Sequence, residues 1–316
     1  MNLKKTGTII RNYNTYIILL LCIIICSIVS PDFFTVTNIL NISKQYAGPC
    51  VLALGMLFVI ITGGIDLSVG SYVAFGSVMI SIFLNSGIGL FPALLLTILV
   101  GSLGGVFTGF LVAKVRMPAF IVTMAMLTIV KGITFMISNG SPIKTPKGTV
   151  ELLGKGSLAL IPYLVILAAA AIVISAFILR NTSFGRIITA IGSNENCAKL
   201  SGIRVEFYTV GVYIISAVCA TMAGIMAASR TAVGTPLYGS GMELDAIAAC
   251  VIGGASLSGG EGSATKTLIG VLILALISNI MNLLSVPSYP QDVIKGAIII
   301  ISILIQIFSS DKKQTV

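Results

Sequence analysis

A chain of 316 residues with 56% hydrophobic side chains, a mean hydropathy of +1.08 and only 9% charged residues carries more apolar surface than a water-soluble core can hide, which excludes a soluble enzyme or binding domain. The net charge of +9 does not point to nucleic acid, because the basic residues are scattered at the ends of apolar runs and form neither a patch nor an aromatic-interleaved stripe. There is no histidine or tryptophan, and the six cysteines lack paired metal spacing, so they read as small buried hydrophobes rather than a metal centre or disulfide framework.

Cutting the chain at charged, Gly/Pro-rich and Asn-rich punctuation, and asking for something near the roughly 20 residues of a spanning helix, predicts an all-α polytopic membrane protein. It is a single domain over 1–316 with ten spans. The first, 13–30, follows Lys4, Lys5 and Arg11; its apolar stretch is long for a signal peptide and no A-x-A-like site follows, so it reads as uncleaved. The second, 48–62, is short and runs into "GGIDLSVGS" at 63–71. Spans 68–85, 90–113 and 118–138 follow, then a polar Gly/Pro loop at 139–157 and a span at 158–179. Residues 180–207 form the longest loop on the opposite side, and within it "SNENCAKLSGI" reads as a capped helix. Ser193 or Asn194 is its N-cap, Glu195 and Asn196 open it, Lys199 is in its last turn and Gly202 stops it. Such an exposed amphipathic helix is a docking surface. After 207–228 comes a second short span, 244–255, which runs into "GGASLSGGEGS" at 253–263; spans 265–285 and 291–309 close the chain.

The two glycine loops repeat at an offset of 190, with Gly63, Gly64, Leu67 and Ser68 answered by Gly253, Gly254, Leu257 and Ser258. Matched short segments interrupted by glycine point to a transporter's substrate path, which nominates Gly63, Gly64, Asp66, Ser68, Gly253, Gly254, Ser256 and Ser258. Asp66 caps the following helix at the membrane interface, touches the substrate or couples protons; a charge at mid-bilayer costs about 2.5–3.5 kcal/mol on insertion scales. Ser278, Asn282 and Ser285, with Asn279 beside them, line one face of a span and either join helices or line a pore. Asp292 and Lys295 are spaced to pair within one helix. Alternating the loops places Lys4, Lys5, Arg11, Lys114, Arg116, Arg180, Arg186, Lys199, Arg204, Lys266, Lys312 and Lys313 on one side. Lys44, Lys144, Lys147, Lys155 and Arg230 fall on the other, which by the positive-inside rule puts both termini and both glycine loops in the cytoplasm.

"LSGGE" at 257–261 looks like an ATPase signature, but no G-x-x-x-x-G-K-[ST] exists anywhere in the chain, so it binds no nucleotide by itself. Without histidine, paired catalytic carboxylates or a nucleophile elbow, an intramembrane enzyme is disfavoured too.

"GGIDLSVGS", "AIGSNENCAKLSGI" at 190–203, "ELDAIAACVIGGASLSGGEGS" at 243–263 and "SPDFFTVTNILNI" at 30–42 together resemble the permease subunits of ribose-type sugar ATP-binding-cassette importers, and "NGSPIKT" at 139–145 and "SYPQDVIKGAIII" at 288–300 extend the resemblance to nearly the whole chain. The resemblance implies a bacterial inner-membrane permease, working as a homodimer or pseudo-dimer. Its partners are a cytoplasmic ATPase, which hydrolyses the ATP, and an extracytoplasmic sugar-binding protein. It also implies that 190–203, within the cytoplasmic loop 180–207, is the coupling segment, and that ribose, xylose, allose, a galactoside or an autoinducer-2-like furanoside is the cargo. The competing reading is a proton- or sodium-coupled secondary transporter with Asp66 and Asp292 as coupling sites. A membrane scaffold or channel is a third.

Overall fold

In a computed structural model, residues 3–314 are described. They form thirteen α-helices and two small two-stranded sheets. The helices are α1 (Leu3–Val29), α2 (Val36–Ile61), α3 (Val69–Asn85), α4 (Leu90–Ala113), α5 (Ala119–Ile137), α6 (Glu151–Lys155), α7 (Tyr163–Asn181), α8 (Ser183–Ser193), α9 (Glu195–Leu200), α10 (Val205–Thr231), α11 (Met242–Ile252), α12 (Ala264–Leu283) and α13 (Ser288–Gln314). Six of them, α2, α4, α5, α7, α10 and α12, are long and apolar enough to cross a membrane; α3 and Thr15–Val29 of α1 are apolar but shorter.

Helix α10 is the central post, packed by α2, α3 and α4. Its partner faces are made of small residues. Gly101, Gly105 and Gly109 of α4 lie against Thr221, Tyr213 with Ala217, and Val210. The outward face of α4 instead carries Leu95, Leu99, Leu103 and Phe110, all exposed, the inside-out amphipathicity of a helix whose solvent is lipid. Helix α4 runs antiparallel to α10, and α3 starts beside the middle of α10 and climbs towards its C-terminal end. There Ser77 meets Thr235, and Asn85 donates to the Lys144 carbonyl at 2.9 Å. β1 (Ile143–Lys144) pairs with β4 (Val233–Gly234) at that same end, while β2 (Ser157–Leu158) and β3 (Ile161–Pro162) form a hairpin before α7.

Three expectations change. The second segment is not short: α2 begins at Val36 with Thr35 capping the Asn38 amide and stays helical past Pro49, and in its polar first turn Asn38 is paired with Asn279 of α12 in a reciprocal amide bond (2.8 and 3.1 Å). Of the two segments that run into the glycine loops, only α11, with 11 residues and a length of about 16 Å, is too short to span. The stripe on α12 breaks up, since the helix ends at Leu283 and Ser285 lies beyond it with φ +55°, while Asn282 accepts from Gln291 at 2.9 Å. Lys295 pairs not with Asp292, three residues away on its own helix, but with Asp245 of α11 at 3.2 Å. Here tertiary packing overrides a local spacing rule.

Candidate functional site: a membrane cavity and the junction beneath it

Both glycine loops begin as the same helix stop. After α2, the Gly63 amide bonds to the Ile60 carbonyl at 2.9 Å and the Gly64 amide to Val59 at 3.1 Å; after α11, the Gly254 amide bonds to Val251 at 2.8 Å and the Ala255 amide to Cys250 at 2.9 Å. These are two Schellman closures, each with its glycine in the left-handed region, Gly63 at φ +80° and Gly254 at φ +83°. The geometric equivalence is therefore Gly63 with Gly254, an offset of 191 rather than the 190 of the letter match. The backbone aligns on the residue that must adopt positive φ, not on the first glycine.

The loops meet at one end of the bundle. The Gly260 amide donates to the Ile61 carbonyl at 2.9 Å, and a Cβ built on Gly63 would lie 3.5 Å from the Ser258 carbonyl oxygen. Ser256 closes the second loop on itself, its amide bonded to the Glu261 carbonyl and its carbonyl to the Gly259 amide, both at 3.0 Å. From the first turn the chain climbs to Asp66, which is 1% exposed. Its carboxylate accepts from the Ser68 amide at 3.0 Å, from the Ser68 hydroxyl, and from the Ser216 hydroxyl at 2.8 Å. Asp66 is thus not an interfacial cap on the free amides of α3; it is a buried tie between the turn and the middle of α10. Thr123 of α5 adds a bond to the Ile65 carbonyl at 3.3 Å. Beside Gly64 lies the hydroxyl of Tyr213, buried and without a hydrogen-bond partner.

Asn194 caps α9, accepting from the Cys197 amide at 2.9 Å, and Ser193 ends α8 with its hydroxyl on the Thr189 carbonyl. Glu195 and Lys199 are ion-paired along the exposed face that also carries Asn196. Gly202, at φ +80°, closes a third Schellman stop, its amide bonded to the Lys199 carbonyl at 3.0 Å and the Ile203 amide to the Ala198 carbonyl at 3.2 Å. This short helix lies at the same end as the glycine loops, and a polar cleft of about 320 Å³ separates Glu195 and Lys199 from Gly63, Gly64 and Tyr213.

A second cavity, about 240 Å³, opens in the other half of the bundle between α2, α10, α11 and α12. Its rim is polar, with Lys44, Tyr46, Arg230, Asp245, Ser278 and Lys295; its floor is apolar and small, with Leu52, Ala53, Ala249, Val271 and Leu274. Of the residues nominated from the sequence for a path or pore, only Ser278 lines this cavity. Gly63, Gly64, Asp66, Ser68, Gly253, Gly254, Ser256 and Ser258 lie beneath it, Asn279 joins α12 to α2, and Asn282 holds Gln291. The rim residues were not read together because they stand on five separate elements, α2, α10, α11, α12 and α13. The sequence signals were Ser278, in the polar stripe of its span, and Asp245, which with Glu243 opens an otherwise apolar run.

Over residues 38–303 the chain matches the family described as Branched-chain amino acid transport system / permease component. It is 37% identical to the ribose import permease protein RbsC of Haemophilus influenzae, with 98% of this chain and 97% of that protein aligned. It is 40% identical to RbsC of Bacillus subtilis, over 94% of this chain and 93% of the relative. The L-arabinose transport system permease protein AraH of Escherichia coli is 33% identical, over 98% and 94%. No solved structure matches the chain. By a family match across most of its length and by relatives aligned end to end, the chain belongs to this family of membrane permease components and not to a family of enzymes.

Proposed function

We propose that the chain is the permease subunit of a bacterial ATP-binding-cassette importer that passes ribose from an extracytoplasmic binding protein into the cytoplasm. The observation that carries this reading is the end-to-end likeness to ribose import permeases, joined to a hydroxyl- and charge-rimmed cavity. At about 240 Å³ the cavity is smaller than the roughly 300–1,000 Å³ typical of drug-sized ligands, which suits a monosaccharide. Its rim offers carboxylate, ammonium and hydroxyl groups to a polyol, and its small apolar floor offers no tight hold. Specificity then rests with the binding protein.

In this reading ten segments enter the membrane: the six long helices together with α1, α3, α11 and α13. The α2–α3 and α11–α12 breaks are membrane-buried interruptions whose freed backbone groups are met by protein, the condition for breaking a helix at membrane depth. The excess of basic residues at the glycine-loop end supports a cytoplasmic position for that end, both termini and the 180–207 loop. The glycine loops form the gate below the cavity, and α9 docks on the ATPase, which hydrolyses ATP; the chain itself holds no cofactor. A second copy of the chain completes the membrane unit.

The test is reconstitution in vesicles with the partner ATPase and binding protein, following labelled ribose with L-arabinose as competitor. ATP-dependent ribose uptake that requires all partners is expected. Uptake driven by a pH or sodium gradient without the ATPase refutes the class, and arabinose carried in preference to ribose refutes the cargo.

A further inference from the structure

The last turn of α8 lies where the two glycine loops meet, and no side chain stands between the three backbones. A Cβ on Gly192 would overlap the Ile61 carbonyl oxygen and come 2.5 Å from the Gly260 amide nitrogen, the two atoms that hydrogen-bond to each other across the loops. A Cβ on Gly259 would lie 2.8 Å from the Gly192 carbonyl oxygen and 2.9 Å from the Gly63 amide nitrogen, and one on Gly260 would lie 2.5 Å from the Ser193 hydroxyl oxygen. Gly63, Gly254, Gly259 and Gly260 all have positive φ, so their conformation alone calls for glycine. Gly192 does not. It sits in ordinary helix, where any residue fits the backbone, and only the closeness of Ile61 and Gly260 requires it to lack a side chain.

What meets there matters. Ile61 ends α2, which supplies Leu52 and Ala53 to the cavity floor; Gly260 belongs to the loop joining α11 to α12, which supply Ala249, Val271 and Leu274. Gly192 is two residues before the cap of α9. Contacts between side chains have rotameric slack, whereas backbone held against backbone has none. Resting on the reading of α9 as the ATPase-docking helix, we propose that Gly192 is the positioning residue through which α9 drives the cavity: the α8–α9 turn, the end of α2 and the 253–263 loop move as one locked body, so a displacement at the ATPase reaches both walls at once.

The experiment uses the assembled importer in vesicles, with the unaltered chain in parallel. If the unaltered complex shows no ATP-dependent uptake, the transport reading itself has failed, which keeps the two failures apart. In Gly192→Ala, the complex is expected to co-purify with its ATPase and hydrolyse ATP at the basal rate. Stimulation by sugar-loaded binding protein and sugar uptake should both fall to background. Uptake at the unaltered level overturns the proposal. Because an added methyl at so close a site can impair folding, a second arm pairs Ser193→Cys with Glu261→Cys, beside Gly260 but outside the left-handed region, in a Cys197→Ser background, bridged by a short bifunctional methanethiosulfonate. Parts that travel together tolerate a cross-link, so uptake after bridging is expected to match uptake before it; uptake lost on bridging and restored by reductant shows that the turn and the loop slide past each other, and sinks the idea.

Discussion

Replacing Asp66 separates a hydrogen-bond tie from a working charge. In Asp66→Ala three donors lose their acceptor: the Ser68 amide, the Ser68 hydroxyl and the Ser216 hydroxyl. The Ser216 hydroxyl can turn to the carbonyl one helical turn back, as helical serines do. The Ser68 amide has no such escape in a buried turn, and a buried donor left unpaired costs about 1–3 kcal/mol. A loss of that size lowers the melting temperature of a chain this long by roughly 2–6 °C. Asp66→Asn keeps the shape. Its amide oxygen still accepts from both Ser68 donors, and its amide nitrogen donates to Ser216, whose own proton is free to turn away, so the cost should stay below about 1 kcal/mol. The assay is thermal unfolding of the purified chain in detergent alongside ribose uptake in vesicles. The expected pattern is a lowered melting temperature and reduced uptake for alanine, with both near normal for asparagine. A stable Asp66→Asn protein with no uptake would refute the tie, because only the charge would then have been removed.

Gly64→Leu should abolish uptake, since a Cβ there already lies 2.8 Å from the Tyr213 hydroxyl and 3.1 Å from Val59; Tyr213→Phe, which removes a buried hydroxyl lacking a partner, should be neutral or stabilising by up to about 1 kcal/mol and should partly rescue Gly64→Ala. Full uptake in Gly64→Leu would remove the reason for treating this turn as close-packed. The adjacent glycines of the second loop should respond for different reasons: Gly253→Ala meets the Lys266 carbonyl oxygen at 2.6 Å and should lose uptake, whereas Gly254→Ala enters open space and pays only the left-handed strain of about 1–2 kcal/mol. Equal losses in uptake for the two would show that the steric account is wrong. Glu195→Lys should leave insertion and melting unchanged, because an exposed ion pair is worth at most about 1 kcal/mol, yet abolish ATPase co-purification and uptake; survival of both would place the docking surface elsewhere.

Hydropathy located the six helices long and apolar enough to cross a membrane, because lipid-facing helices must be apolar along their length, and punctuation by glycine and proline marked most of their ends. It failed at the start of α2, where Asn38, Lys44 and Pro49 look like loop residues; the partner of Asn38, Asn279, is 241 residues away. The capped helix at 195–200 was legible because capping is local. Ser216, Tyr213 and Gly192 were not, since each looks like an ordinary member of its own helix and acquires its role only from what packs across from it. The glycines of α4 were the missed opportunity: a residue of minimal size every fourth position is a sequence-level sign of a close helix contact, and 101, 105 and 109 carry it.

That α4 face has a consequence for how the protein is made. Its glycines fit α10 and nothing earlier in the chain, and more than a hundred residues separate the end of α4 from the end of α10. At a synthesis rate of about 5–20 residues per second, α4 stands in the bilayer for several seconds before its mate emerges from the ribosome. Throughout that interval its small-residue stripe is open to lipid, or to another helix able to approach as closely. The step most exposed to error in the biogenesis of this protein is therefore the wait for α10, and a truncated chain ending before Val205 should be the form that membrane quality control finds and removes.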